Sequence, residues 1–189
     1  MPWITNVQFL NNCLLSLLAT EQNGQVIETD EAFKTLLNIT TQLRAKKRLV
    51  YFIGNGASAA MASHYSADLA KNGKVHTQVL TDLALMTAVS NDINYESVFS
   101  EPLQNRIISG DMLVAISSSG NSPNIIKGVK TALSLGATVI TLSAMKETNQ
   151  LRKLGHINFY VATNTYGMSE TSHNAILHHW IDLLLGDAK

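Results

Sequence analysis

The chain has 189 residues, 46% of them apolar and 15% charged, with a formal net charge of zero. That length suits one domain with a full core, and the apolar content excludes a disordered chain. Zero net charge gives no global reason to expect a nucleic acid or an anionic membrane as partner, and so little charge suggests surface covered by self-association.

Residues 3–20 carry Trp3, Val7, Leu10, Leu14, Leu17 and Leu18 at a helical period. With no basic leading region, and with Asn6, Gln8, Asn11 and Asn12 interspersed, this reads as an amphipathic helix rather than a signal peptide. Cys13, the single cysteine, rules out an internal disulfide and a cysteine-based zinc site and fits a reducing, cytoplasmic compartment. Residues 23–29 read as a polar turn. Asp30 reads as the N-cap of a second helix carrying Phe33, Leu36, Leu37 and Leu43. The basic cluster at 44–48 reads as cations at that helix's C-terminus. No run approaches the ~20 apolar residues of a membrane span. Residues 1–48 are thus an N-terminal helical extension for packing or oligomerisation.

From residue 49 strands and helices alternate. Strands are expected at 49–53, 75–80, 112–117, 138–143 and 156–162. Helices are expected at 58–71, 95–108, 124–135 and 146–154, with a last one at 169–185. Nearly continuous apolar strands alternating with helices predict a doubly wound α/β fold, a mostly five-stranded parallel sheet covered on both faces. No Pro/Gly/Ser-rich linker divides the chain, so 1–189 reads as one domain.

Two turns share one design: apolar strand, small-residue loop, helix. The first is Gly54-Asn55-Gly56-Ala57-Ser58; the second is Ser117-Ser118-Ser119-Gly120-Asn121-Ser122, with Pro123 near a helix start. In an open parallel sheet both loops emerge at the carboxyl edge, where ligands bind. Gly54, Gly56 and Ala59 satisfy the G-x-G-x-x-A dinucleotide pattern, but Asp82 falls later than the acidic residue that pattern needs. Neither loop leads into the G-K-[ST] of a Walker A motif, so no nucleotide cofactor is expected. Four serines beside helix-start N–H groups suit one compact phosphate held without Lys or Arg. Serines used only as turn caps are the plainer alternative. Past the first loop, His64 and Asp68 stand four residues apart on one helix face, a pair able to move protons or hold a metal.

These paired loops resemble the sugar-isomerase (SIS) domain family, and nearly the whole chain resembles its phosphoheptose isomerase branch. That branch interconverts sedoheptulose 7-phosphate and D-glycero-D-manno-heptose 7-phosphate. The resemblance implies a homotetramer with sites at subunit boundaries. It implies substrate and phosphate contacts from Asn55, Gly56, Ala57, Ser58, Ser117, Ser118, Ser119 and Ser122, and from Asn91 and Asp92 in a loop that continues through Tyr95-Glu96. A divalent metal, zinc by its donors, would be held by His64, Asp68, Glu170 and His178, with Glu170 also touching substrate. Asp68 would be the catalytic base and His178 its acid/base partner. A register shifted by one puts His179 in place of His178. His173 also matches a family histidine, without a role.

Three positions depart from the family. Asp68 replaces a glutamate, withdrawing the carboxylate by about 1.5 Å, where ~1 Å can cost roughly a hundredfold in rate. Glu170 replaces a glutamine and adds a negative charge. Asn72 stands where the family has an arginine, a contact that Lys71 or Lys74 would have to supply. Glu170 and His178 lie about 80° apart around their helix, so both can approach one site. A carboxylate base, a histidine proton shuttle and a dication would together carry an aldose–ketose isomerisation through an enediol. The alternatives are a sugar-phosphate sensor or a replication-initiator-associating adaptor on the same fold, or an isomerase of another ketose phosphate.

Overall fold

The computed structural model describes residues 1–186. The chain opens with α1 (Trp3–Leu15), strands β1 (Leu18–Glu21) and β2 (Val26–Ile27), and α2 (Thr29–Ala45). Then come β3 (Leu49–Gly54), α3 (Ala57–Lys71), β4 (His76–Val79), α4 (Leu83–Asp92) and, after a short 3-10 turn at Tyr95–Ser97, α5 (Ser100–Arg106). The second half holds β5 (Met112–Ser117), α6 (Pro123–Ser134), β6 (Thr138–Ala144), β7 (Ile157–Val161) and α7 (Tyr166–Leu185).

One seven-stranded sheet runs in the order β2-β1-β7-β6-β5-β3-β4. The five expected strands are its parallel part. The other two come from the N-terminal segment, which is therefore not purely helical. The helix expected over 3–20 stops at Leu15, and β1 turns back to pair antiparallel with β7, Ala19 opposite Phe159. Leu17 and Leu18 prolong the helical spacing of the sequence, but β7 has an unpaired edge, and satisfying that row of N–H and C=O groups decides the conformation. Residues 23–29, expected to be a turn only, supply the hairpin turn at Gly24 (φ 82°) and then β2. Glu28, not Asp30, stands at the N-cap of α2, and Asp30 falls in its first turn.

Alternating strand residues feed two cores. Val50, Phe52, Val114, Ile116, Ile140, Leu142 and Phe159 face α2, α3 and α7 with Phe33, Met61, Tyr65 and Trp180. Tyr51, Ile53, Leu113, Ala115 and Val139 face α5 and α6 with Phe99, Leu103 and Val129. Trp180 Nε1 donates to Thr40 Oγ1 at 3.0 Å, fastening α7 to α2. Tyr65 Oη reaches the Asn174 carbonyl at 3.0 Å and its Oδ1 at 2.8 Å, fastening α3 to α7. No helix among the described residues is long and apolar enough to cross a membrane.

Candidate active site

β3 and β5 are neighbours in the sheet, Gly54 opposite Ile116, so their loops leave the carboxyl edge side by side. Gly54 has to be glycine: a Cβ there would lie 2.5 Å from the Ser58 carbonyl oxygen, because α3 starts directly against the strand end. Gly56, with φ 55°, turns the chain at the N-cap of α3. In the second loop Ser117 ends β5, the Gly120 N–H closes a turn onto the Ser117 carbonyl at 3.0 Å, and Ser122 is the N-cap of α6. Ser117 and Ser122 bring their hydroxyls to 3.4 Å.

Between the loops lies a cavity of about 160 Å³ lined by Asn55, Ser58, Ile116, Ser117, Ser118, Ser119, Ser122, Tyr166 and Glu170. Cavities for whole small molecules start near ~300 Å³, so this one holds one end of a ligand. Among the described residues no lysine or arginine lines it. Hydroxyls, the Asn55 amide and two helix N-termini must carry the attraction for an anion. Among the described residues Glu170 is the one formally charged group in the wall. Gly56 and Ala57 belong to the loop, but their side positions are exposed and outside the lining.

Two features, one in the wall and one behind it, were not foreseen from the sequence. Tyr166, expected to precede the last helix, is its first residue and stands 64% exposed at the cavity. Asn124, 2% exposed, exchanges two hydrogen bonds with Asn55: Asn55 Nδ2 donates to Asn124 Oδ1 at 3.0 Å and Asn124 Nδ2 to Asn55 Oδ1 at 2.9 Å. This pair ties the glycine loop to the helix that follows the serine loop. Proline followed by Asn at a helix start was the only signal, and it does not name the partner.

Further along the same two helices lies a second cluster. His64 Nε2 is 3.4 Å from Asp68 Oδ2, and the His64 and His178 rings stand 5.7 Å apart. His178 also meets the Tyr65 ring edge-on at 4.9 Å. His179 instead packs edge-on against Phe33 at 4.6 Å, on the α2 side. Burial, with the Asp68 charge second, pushes the Tyr65 hydroxyl up to about 12, so it stays a neutral donor to Asn174.

The two clusters do not merge. At 1.5 Å per helical residue, His64 lies about 9 Å and Asp68 about 15 Å along α3 from Ser58, and His178 about 12 Å along α7 from Glu170. Glu170 faces the serine cavity, whereas the other three expected metal ligands gather beyond it. Among the described residues no three His, Cys, Asp or Glu side chains come close enough together to hold a metal ion. The expected four-ligand zinc set is therefore not assembled by this chain as it lies.

Asn91 and Asp92 are also elsewhere. They end α4, exposed and hydrogen-bonded to each other at 2.9 Å, and Asp92 lines a separate groove with Glu101 and Arg106. The sequence showed no helix between residues 80 and 95, and α4 carries this corner away from the serines. Only Tyr95 of that segment returns, its hydroxyl donating to Asn55 Oδ1 at 3.4 Å.

Residues 19–144 match the sequence model of the SIS domain. The chain belongs to the SIS domain family. Among SIS relatives, the phosphoheptose isomerase of Campylobacter concisus is 36% identical over 135 residues, covering 68% of this chain and 71% of that protein. The phosphoheptose isomerase of Aliarcobacter butzleri is 33% identical over 151 residues, covering 76% and 79%. The solved structure of phosphoheptose isomerase GmhA from Neisseria gonorrhoeae superposes with a TM-score of 0.78 at 25% identity, covering 96% of this chain and 92% of that one. The doubly wound sheet with its loops at the carboxyl edge is thus the SIS fold.

Proposed function

We propose that this chain is a phosphoheptose isomerase, interconverting sedoheptulose 7-phosphate and D-glycero-D-manno-heptose 7-phosphate through an enediol. The observation that carries it is the pairing of a cation-free hydroxyl cavity with an acid/base face further along the same two helices. A phosphate seated among Ser117, Ser118, Ser119 and Ser122 leaves the other end of a long sugar to run toward His64, Asp68 and His178. The phosphoheptose isomerases to which the chain is 36% and 33% identical support the choice of a seven-carbon substrate.

In the ketose-to-aldose direction the Asp68 carboxylate takes a proton from C1. His178, whose ring stands 5.7 Å from that of His64, moves a proton between the oxygens on C2 and C1, and the proton held by Asp68 returns to C2. Glu170, at the cavity wall, accepts hydrogen bonds from sugar hydroxyls. Among the described residues the candidate metal donors do not surround one point, and Asp68 and His178 carry the proton transfers.

Assembly as a homotetramer is part of the proposal. It is supported by the exposed apolar residues of α1 and by the low charge of the chain.

The test is incubation of the purified protein with sedoheptulose 7-phosphate in deuterium oxide, beside six- and five-carbon ketose phosphates. Turnover with deuterium at the exchanged carbon is expected for the seven-carbon sugar, and Asp68→Asn should lose at least ~100-fold in kcat. Binding without exchange by any of the sugars would make the protein a sensor, and full activity of the variant would remove Asp68 as base.

A further inference from the structure

The serine loop has few bonds of its own, yet four hydroxyls must stay aimed at one anion. Within it the Gly120 N–H reaches the Ser117 carbonyl at 3.0 Å, and Asn121 turns back on Ser119, backbone N–H to Oγ at 3.3 Å and Nδ2 to the carbonyl at 3.1 Å. The rest of its support comes from below, from the segment after β6. Ala144 N–H donates to the Ser118 carbonyl at 3.0 Å and Leu151 N–H to the Gly120 carbonyl at 2.9 Å. Gln150 N–H donates to Asn121 Oδ1 at 3.0 Å. Every residue from 118 to 121 is held from beneath or by Asn121.

That supporting segment is not a helix, although the sequence suggested one at 146–154; only a 3-10 turn at Leu151–Lys153 is regular. Its shape depends on Asn149, which is 0% exposed. Asn149 Nδ2 is 2.9 Å from the Lys146 carbonyl, 3.2 Å from the Ala144 carbonyl and 3.3 Å from Ser143 Oγ. Its Oδ1 accepts from Arg152 N–H at 3.1 Å. The amide also touches the serine loop itself. A Cβ on Gly120, at φ 61°, would fall 2.1 Å from Asn149 Oδ1, so the loop backbone rests on that side chain. Two donors and one acceptor, buried and satisfied, fix one arrangement, whereas an alkyl side chain would leave the Lys146 and Ala144 carbonyls without this donor.

We infer that Asn149, outside the cavity, is the positioning residue of the anion site, setting the aim of the serine hydroxyls through Gly120 and Asn121. The inference deepens the proposed function and rests on its reading of the serine cavity as the phosphate site. A merely structural Asn149 would lower the melting temperature and leave affinity alone. A positioning Asn149 moves affinity as well.

The experiment measures KM and kcat for sedoheptulose 7-phosphate, the Kd of inorganic phosphate by calorimetry, and Tm, for the wild-type chain, Asn149→Ala and Asn121→Ala. Assays are run well below the lowest Tm. Asn149→Ala should raise KM and the phosphate Kd roughly tenfold, the scale of one hydrogen bond, with kcat within about threefold of wild type. Asn121→Ala, at an exposed position, should fold as wild type and shift both in the same direction by a smaller factor. Wild-type KM and Kd in both variants, whatever the Tm, would overturn the inference. Should Asn149→Ala not fold, wild-type values in Asn121→Ala alone would overturn it. A wild-type chain that turns over no ketose phosphate defeats the proposed function instead, and the phosphate Kd series still decides the role of Asn149.

Discussion

His173 lies on α7 between Glu170 and His178, fully buried, with no hydrogen-bond partner at either ring nitrogen among the described residues. Burial pushes its pKa down to about 4, with the Ser143 backbone acting in the opposite direction. The unfolded chain, with an ordinary histidine, takes up this proton near pH 6.5, so between about 6.5 and 4 the unfolded state binds more protons than the native one. Stability therefore rises with pH across that window, and the penalty at its acid end is about 3 kcal/mol from this residue. Replacing His173 with leucine should flatten the slope, read as the difference in urea midpoint between pH 7 and pH 4.5. A variant as pH-sensitive as wild type would place the effect in other groups. Asn124 supports a second expectation at this scale. Asn124→Ala leaves the Asn55 amide without its two bonds, so Tm should fall by the equivalent of roughly 1–2 kcal/mol and KM should rise several-fold. An unchanged KM would mean that Asn55 keeps its place without that partner.

Elements were legible where one physical cause governs them. The inner parallel strands β3, β5, β6 and β7 stood out because a strand buried on both faces is mostly apolar, as β5 is from Met112 to Ile116, whereas the edge strand β4 is mixed in character and only partly buried. The two loops stood out because glycine and serine have few other uses between such a strand and a helix. What escaped depends on partners distant in sequence. β1 is a strand because β7 has an edge to fill, and α4 lies in a stretch, Leu83–Asp92, that buries only Val89 and so shows weak periodicity. The site divides the same way. Asn55, Ser58 and the four serines of the second loop converge on one cavity, and His64 meets Asp68 as their four-residue spacing implied, whereas the places of Asn91 and Asp92 and the joining of Glu170 to His64, Asp68 and His178 rested on resemblance and do not come about in one chain. Gly54 puts this junction to a test. Gly54→Ala would drive a methyl into the Ser58 backbone, which can yield only if α3 moves off β3. A loss of about 1–3 kcal/mol in a denaturant titration is expected, with weaker phosphate binding than that loss alone explains. Alanine tolerated at wild-type stability and affinity would show the junction to be slack.

At the scale of the molecule, α1 leaves most of its apolar surface uncovered. It buries only Cys13, while Trp3 and Leu15 are each 78% exposed and Ile4 is 63% exposed. At 100° per residue, Trp3, Ile4, Val7, Leu14 and Leu15 fall within a stripe about 120° wide, the width of a helix face made to be covered. The other described residues do not cover that stripe, and a second copy of the same chain is the occupant that the proposed assembly supplies. Charging the stripe should therefore separate copies without unfolding any one of them, since exposed substitutions usually change stability by no more than about 0.5 kcal/mol. The double variant Trp3→Glu, Leu15→Glu should keep the wild-type circular dichroism spectrum and scatter light as a smaller species than wild type at equal concentration. If the proposed isomerase site also depends on neighbouring copies, kcat should fall with the molar mass, and dilution of the wild type should reproduce the fall. A double variant with the wild-type molar mass would leave α1 out of the interface. A smaller species with full kcat would show that each chain carries a complete site, and that its cavity and its acid/base face meet the substrate without a neighbour.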